Sequence, residues 1–403
     1  MRICAPVAGL ASDPDSRLQR HRQQVRARSA ERPRSQSSSV CEMSPCLPVF
    51  TGLKRKGTLV SWALLSKTAD MELDGNSRSG SPAEGTSPGP RPRLWERALG
   101  HINTLKPFFE RTLRPAERVA TAAYLTELYD PDVGMVDVTG CYLQRDPEHV
   151  VVIIHGLGGS CDSGYMSLAL RAADQLGVSA LLLNCRGCDR KNSDIYHSGL
   201  TADLQAAIQS PLLAQASRIS VLGYSIGGHV ALCYGCREPD PRVKKIAAIC
   251  SPLDLAQTAD AFDRSFFNVY RGHVMDGLKE IYTASYQRRP SGVVPEQARK
   301  IRKIRDWDRQ IVAPRFGFQS ADHYYASQSV GPGLRAIKPE AMYVGARLDP
   351  MVGMDSVVPY LHGSGLKVVW DDRAGHLGFG PDFDLGLPGP LGLESQVLGW
   401  LVS

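Results

Sequence analysis

The sequence predicts an α/β fold, a mostly parallel, doubly wound sheet with a helical lid inserted between the sixth and seventh strands. Short apolar runs recur from the middle of the chain onward: Val150–Ile154, Val178–Asn184, Arg218–Gly223, Val243–Cys250, Ala341–Val344 and Leu366–Trp370. Runs of this kind suit strands buried on both faces, as parallel strands are. Helical segments lie between most of them, at Ser167–Leu176, Thr201–Ala214 and Gly228–Arg237. Strand–helix alternation is the pattern of a parallel sheet with helices on both sides. The connection Leu255–Lys338 is far longer than the others, too long for a structureless loop, and is read as a largely helical lid.

The N-terminal part is different in kind. The chain has 403 residues and a net charge of +6, but the first 70 carry 12 Lys/Arg and 5 Asp/Glu. That leaves 35 basic and 36 acidic residues for the rest, so no basic footprint for nucleic acid is indicated there. Residues 1–70 read as a disordered tail, or as sequence upstream of a true start at Met71. They show no signal-peptide pattern, and the cytoplasm is the expected compartment. Residues 72–92 are rich in Gly, Ser and Pro and read as linker, so the disordered part is placed at 1–92 and the folded domain at 93–403, with the lid at 255–338. No run approaches the roughly 18 apolar residues of a membrane helix.

From Leu94 to Leu113 apolar residues recur at helical spacing, predicting an amphipathic helix packed on the domain. Peripheral membrane contact through this helix, or through the basic run Arg299–Arg309, is the alternative to plain packing and to a solvated face. Ten cysteines include two CxxC pairs, Cys185–Cys188 and Cys233–Cys236. Their 44-residue separation is wrong for a zinc ribbon, which needs about 15–20. They are read as buried apolar residues, and no metal or organic cofactor is expected.

The chemistry centres on Gly223-Tyr-Ser-Ile-Gly227, set between an apolar strand and a helix. That arrangement lifts Ser225 onto a sharp turn whose outer glycines allow strand and helix backbones to meet. A serine hydroxyl needs a base. In the strand–turn–helix setting the order along the chain is Ser, then acid, then His. Asp349 follows the strand Ala341–Val344, and Pro350 biases it towards an extended backbone; Asp355 is the fallback. Only His362 and His376 come after it. His362 precedes Gly-Ser-Gly at an expected helix end and reads as structural. His376 lies between glycines after the last strand and is the expected base, with Asp349 fixing its tautomer. The expected oxyanion donors are the backbone N–H groups of Ile226, directly after the serine, and Leu157, in the glycine loop His155-Gly-Leu-Gly-Gly159. That loop lacks the lysine and spacing of a phosphate cradle.

Taken together, His155-Gly-Leu-Gly-Gly159, Asn184-Cys-Arg-Gly-Cys188, Tyr196-His-Ser-Gly199, Gly223-Tyr-Ser-Ile-Gly-Gly228 and Cys250-Ser-Pro-Leu-Asp-Leu255 resemble the YheT-like branch of the α/β-hydrolases. So do Trp307-Asp308, the segment Gly317–Tyr325, Leu348-Asp-Pro350 and Gly375-His-Leu-Gly-Phe379, in family order over about residues 149–400. The resemblance implies a serine hydrolase for small carboxylic esters, acyl lipid or short-chain, and supports Ser225, Asp349 and His376 as its triad. Two departures are noted. Val133–Arg145 is short and contains glycine, so the first strands are expected to be reduced, and the membrane anchor of some eukaryotic relatives is not visible. Acyl transfer or thioester cleavage on the same triad, and a non-catalytic binding role, are the alternative functions. Tyr196, His197, Asp322, Tyr324 and Tyr325 match the family pattern with packing as their expected role. Oligomeric state is left open.

Overall fold

The computed structural model describes residues 83–84, 92–113, 119–264 and 268–403. The expected tail 1–70, the start at Met71 and most of the linker lie outside the described residues.

The described strands form one sheet: β1 (Ala83–Glu84), β2 (Ala122–Asp130), β3 (Gly134–Leu143), β4 (Asp146–Ile154), β5 (Val178–Leu183), β6 (Arg218–Tyr224), β7 (Val243–Ile249), β8 (Glu340–Ala346) and β9 (Lys367–Asp371). Their order is β1-β9-β8-β7-β6-β4-β5-β3-β2. Neighbours from β5 to β9 run parallel. The hairpin β2–β3 extends one side antiparallel, and β1, from the linker-like stretch, pairs antiparallel with β9 on the other.

The apolar runs are continuous because both faces are covered: every residue of β5 is buried. In β4 and β6 alternate side chains serve opposite layers. Val152, Ile154 and Val221 join one core, and Val151, Ile153 and Leu222 the other. The principal helices are α1 (Leu94–Leu113), α2 (Gly164–Gln175), α3 (Ala202–Ile208), α4 (Ile226–Cys236), α5 (Leu255–Arg264), α6 (Asn268–Arg288), α7 (Ala321–Gln328) and α8 (Leu393–Val402).

Two expectations are corrected. The first strands are not reduced: β2 and β3 have 9 and 10 residues and pair from Ala122↔Tyr142 to Asp130↔Gly134. Their alternation is hidden because Leu125, Tyr129 and Met135 are exposed while Tyr124, Val136 and Val138 are buried. Gly140 does not end the strand; a Cβ there would stand 2.3 Å from the Leu182 carbonyl, so it marks a close approach to β5. Helix α3 is also shorter than the expected Thr201–Ala214. Pro211 cannot continue it, Ser210 is extended, and a separate 3-10 turn follows at Pro211–Leu213.

Between β7 and β8, the sixth and seventh strands when the two-residue β1 is set aside, the insertion is largely helical: after α5 and α6, shorter helical pieces at Pro295–Ala298, Ile304–Trp307, Asp308–Val312 and Ala313–Arg315 lead to α7. Its two ends are stitched together by Leu255 N–H to Ser329 Oγ at 2.9 Å and Gly331 N–H to the Leu253 carbonyl at 2.9 Å. Several members of the basic run face acids: Arg299 meets Glu296, Arg309 meets Asp306, and Arg305 meets Asp260 and Asp322. Among the described residues no helix is long and apolar enough to cross a membrane.

Asp308, in a π-helical turn at Asp308–Val312, is buried and accepts from Tyr325 Oη at 2.6 Å. Burial raises its carboxyl to about 7. A carboxyl raised on folding stabilises the fold while protonated, and that contribution is lost as pH climbs to the folded value. Wild type is expected to lose stability relative to Asp308→Asn between about pH 4 and pH 7, with the difference flat above about pH 8. Thermal unfolding of both proteins across this range checks it; parallel curves would refute a raised carboxyl.

Candidate active site

Ser225 joins the end of β6 to the first residue of α4 with φ 52° and ψ −119°. A non-glycine residue in such a region costs about 1–3 kcal/mol, so neighbours must impose it. They do so by leaving no room for another path. A Cβ on Gly223 would stand 2.4 Å from the Gly227 backbone, and one on Gly227 would stand 2.4 Å from the Ile154 carbonyl. Ser225 N–H donates to the Ile249 carbonyl of β7 at 2.8 Å. The serine thus stands at the C-terminal edge of the parallel strands, where open α/β sheets bind ligands.

Asp349 lies in the turn after β8, with its backbone N–H on the Ala346 carbonyl at 3.2 Å. Its Oδ1 accepts from the N–H groups of Met351 at 2.8 Å and Val352 at 2.9 Å. Its Oδ2 faces Nδ1 of His376 at 2.7 Å, and both side chains are buried. The structure therefore brings together the acid and the histidine singled out in the sequence. Asp355 is exposed in the turn Met354–Ser356, and exposed His362 caps the turn Val358–Leu361.

The histidine loop is a tight reversal in which Gly375 and Gly378 exchange backbone hydrogen bonds at 3.2 and 3.3 Å around Leu377, at φ 54°. Helix α1 holds it. His376 N–H donates to Thr104 Oγ1 at 2.8 Å, and Thr104 Oγ1 donates to the Gly100 carbonyl at 2.7 Å. A Cβ on Gly375 would stand 2.4 Å from that carbonyl, and one on Gly100 would stand 2.0 Å from the Leu348 carbonyl. The helix expected merely to pack on the domain therefore packs on the acid and histidine loops. Arg347, beside the acid, pairs with Glu96 of α1 at 2.5 Å. The Arg93 amide and the Arg347 guanidinium together lower the Glu96 carboxyl.

Cys250, at φ 48° just past β7, completes the cluster: its Sγ lies within 4.8 Å of ligand atoms of Asp349 and His376. Burial, then the nearby carboxylate, push the thiol well up, so it stays protonated. Among the described residues, no other His, Cys, Asp or Glu trio converges within 4.8 Å, and the CxxC pairs form none. Cys185, Cys188 and Cys233 are buried in the apolar core, and Cys236 packs against it.

The glycine loop after β4 lies against the serine; a Cβ on Gly156 would be 3.4 Å from Ser225 Cβ. Most of its amides are taken. Gly156 N–H donates to Tyr165 Oη at 2.9 Å, Gly158 N–H to Tyr196 Oη at 2.8 Å, and Gly159 N–H to the Gly156 carbonyl at 3.1 Å. Leu157 N–H, among the described residues, has no acceptor within the chain. Ile226, at the first position of α4, has no intrahelical acceptor for its N–H. Buried His155 is fixed between the Gly156 carbonyl at Nδ1, 2.8 Å, and the Cys185 N–H at Nε2, 3.2 Å; burial lowers it to about 4, so it is neutral.

Sequence reasoning missed Thr104 and Tyr165 altogether, quoted Cys250 only as part of a matching motif, and assigned Tyr196 to packing alone. The available signal was indirect: tight glycines at 100, 375 and 378 mark where α1 meets the acid and histidine loops.

Residues 151–383 match the alpha/beta hydrolase family. The chain is 27% identical over 319 residues to a candidate esterase, YheT, of Escherichia coli, spanning 75% of this chain and 90% of that one. It is 23% identical to a monoacylglycerol lipase of Saccharomyces cerevisiae, over 59% of this chain and 56% of the lipase. It is 20% identical to human phospholipase ABHD3, over 60% of this chain and 61% of the phospholipase. An esterase of Pyrococcus furiosus, Pf2001, superposes with a TM-score of 0.42 at 16% identity, covering 64% and 85% of the two chains. The family match takes in the elbow, the glycine loop and the Asp349–His376 pair, and extends over more than half of the sequence: the chain belongs to the alpha/beta hydrolase family.

Proposed function

We propose that the protein cleaves carboxylic esters through an acyl-enzyme on Ser225. The observation that carries this reading is the 2.7 Å contact between Asp349 and His376, beyond the ends of strands two and three places along the sheet from the serine. Asp349 accepts the Nδ1 proton of His376, which leaves Nε2 unprotonated and free to act as base. In the first half-reaction His376 takes the Ser225 proton as Oγ bonds to the ester carbonyl carbon. The carbonyl oxygen becomes an alkoxide received by the N–H groups of Leu157 and Ile226. The ester C–O bond then breaks, His376 returns the proton to the departing alcohol, and the acyl group is left on Oγ. Water repeats the sequence, giving the free acid and restoring the serine.

Relatives named as lipases and a candidate esterase support an ester of an acyl chain as the substrate class. The lid closes over the glycine loop, since a Cβ on Gly277 of α6 would stand 2.7 Å from the Gly158 carbonyl. This close approach supports α6 as the element proposed to set chain-length preference. A fluorophosphonate is expected to label wild type at Ser225, located by peptide mass spectrometry, and Ser225→Ala is expected to lose both label and esterase activity. Labelling that survives the substitution would sink the assignment.

A further inference from the structure

We infer that Tyr165 and Tyr196 are positioning residues that aim the Leu157 amide, an inference that rests on the Ser225 reading above. A segment with glycine at 156, 158 and 159 has little conformational preference of its own. An oxyanion donor, by contrast, works only if it points at the developing charge before the reaction begins. Something outside the loop must supply the orientation.

The two phenols do so from opposite sides of Leu157. Tyr165 Oη takes the N–H that precedes it in the chain, and Tyr196 Oη takes the one that follows. The peptide unit carrying the Leu157 N–H is held at its carbonyl end, where the Gly156 oxygen meets His155 Nδ1 at 2.8 Å and the Gly159 N–H at 3.1 Å. The two phenols fix the peptide units on either side of it and so set the direction in which that unit is presented. Each phenol is itself fixed. Tyr165 lies against Tyr224, the residue before the serine, with ring centroids 4.9 Å apart, so one ring registers the loop against the nucleophile. Tyr196 is buried and stands edge-on to His155 at 6.4 Å. Helix α6 closes the remaining side, with the Val274 carbonyl 3.1 Å from a Cβ placed on Gly158.

Phenylalanine keeps each ring and removes the hydroxyl, which is the acceptor for the glycine N–H and, in Tyr196, also a hydrogen-bond partner of Cys188. The freed glycine N–H then has to find another partner, and a glycine loop is soft enough to turn towards it, carrying Leu157 along. The donor is not lost but is misaimed, so the effect should fall below the 100- to 1000-fold loss typical of deleting an oxyanion donor.

The test uses full-length wild type, Tyr165→Phe and Tyr196→Phe with a soluble p-nitrophenyl ester and a trifluoromethyl ketone. The ketone adds to a nucleophilic serine and places an alkoxide where the intermediate has one. Each variant is expected to lower kcat about 10- to 100-fold, to leave KM within about twofold, and to weaken the ketone by the factor lost in kcat/KM. Tyr165 is only partly buried, so Tyr165→Phe carries the test if Tyr196→Phe fails to fold. Folded variants with wild-type kcat and ketone affinity, in an enzyme whose Ser225 takes a fluorophosphonate, overturn the positioning role alone. A change in KM with kcat intact overturns it as well. Wild type that takes no label at Ser225 overturns the underlying reading, and this inference falls with it.

Discussion

Asp349→Asn is expected to lower kcat for a carboxylic ester by about 10,000-fold while leaving the fold intact. The reason lies in the two backbone donors on Oδ1. In the variant, the amide oxygen is the only group able to accept from Met351 and Val352, so it takes the Oδ1 position. The amide NH2 is then forced towards His376 Nδ1, where the carboxylate oxygen now stands at 2.7 Å. A ring nitrogen facing a donor must accept, which moves the imidazole proton to Nε2 and leaves no base for the serine. The thiol of Cys250 cannot correct this, because it too is protonated and offers a hydrogen. Steady-state kinetics beside the exposed Asp355→Asn control check the prediction. A folded Asp349→Asn enzyme within tenfold of wild type would remove Asp349 from the reaction.

Ser225, Asp349 and His376 could be picked out from sequence because each obeys a local rule. The elbow needs glycines at fixed offsets, and the acid and histidine must follow strands, in that order. The loop amides were a harder case. The sequence supplied the glycines, but which of their N–H groups are taken up within the chain depends on Tyr165 and Tyr196, two side chains outside the motif. Thr104 is 272 residues from the histidine whose amide it receives, and no periodicity encodes a contact of that length. His229 shows the same limit. The sequence marks it only as part of a helix, yet its ring nitrogens meet the carbonyls of Pro252 at 2.7 Å and Gln328 at 2.9 Å, one before the lid and one near its end.

For the fold, the central parallel strands announced themselves by being apolar on both faces, whereas the first hairpin did not. At a sheet edge one face of β2 and β3 is exposed, and here it carries Leu125, Tyr129 and Met135, so the alternation that identifies a half-buried strand is erased. The edge strand β1 is two residues long, too short for any pattern to register. What did emerge clearly, the helical insertion, came from the length of Leu255–Lys338 and the helical stretches within it.

Arg186→Met is expected to destabilise the protein by about 3–5 kcal/mol, the typical result of removing one partner from a buried ion pair. Its side chain is wholly buried and serves three carboxylates: Asp203 through Nε at 3.0 Å and Nη2 at 2.8 Å, Asp130 at 2.7 Å and Asp194 at 3.0 Å through Nη1. Arg315, from the lid, shares Asp194 at 2.6 Å but reaches Asp130 only at 3.7 Å. Methionine fills the space and supplies no charge, so Asp203 is left buried with little beyond the Arg186 backbone N–H to answer it. The double variant Arg186→Met/Asp203→Asn should therefore be more stable than Arg186→Met alone, because the stranded carboxylate is gone. Urea unfolding of the three proteins measures both differences; a single-variant loss under about 1 kcal/mol would mean that the network is solvated. The damage should also reach the chemistry. Arg186 joins the end of β2 to α3 and shares Asp194 with Arg315 of the lid, and its chain neighbour Cys185 donates to His155 at the base of the glycine loop. A loosened Arg186 segment thus relaxes the element that carries the Leu157 amide, and esterase activity should decline at urea concentrations below the unfolding transition.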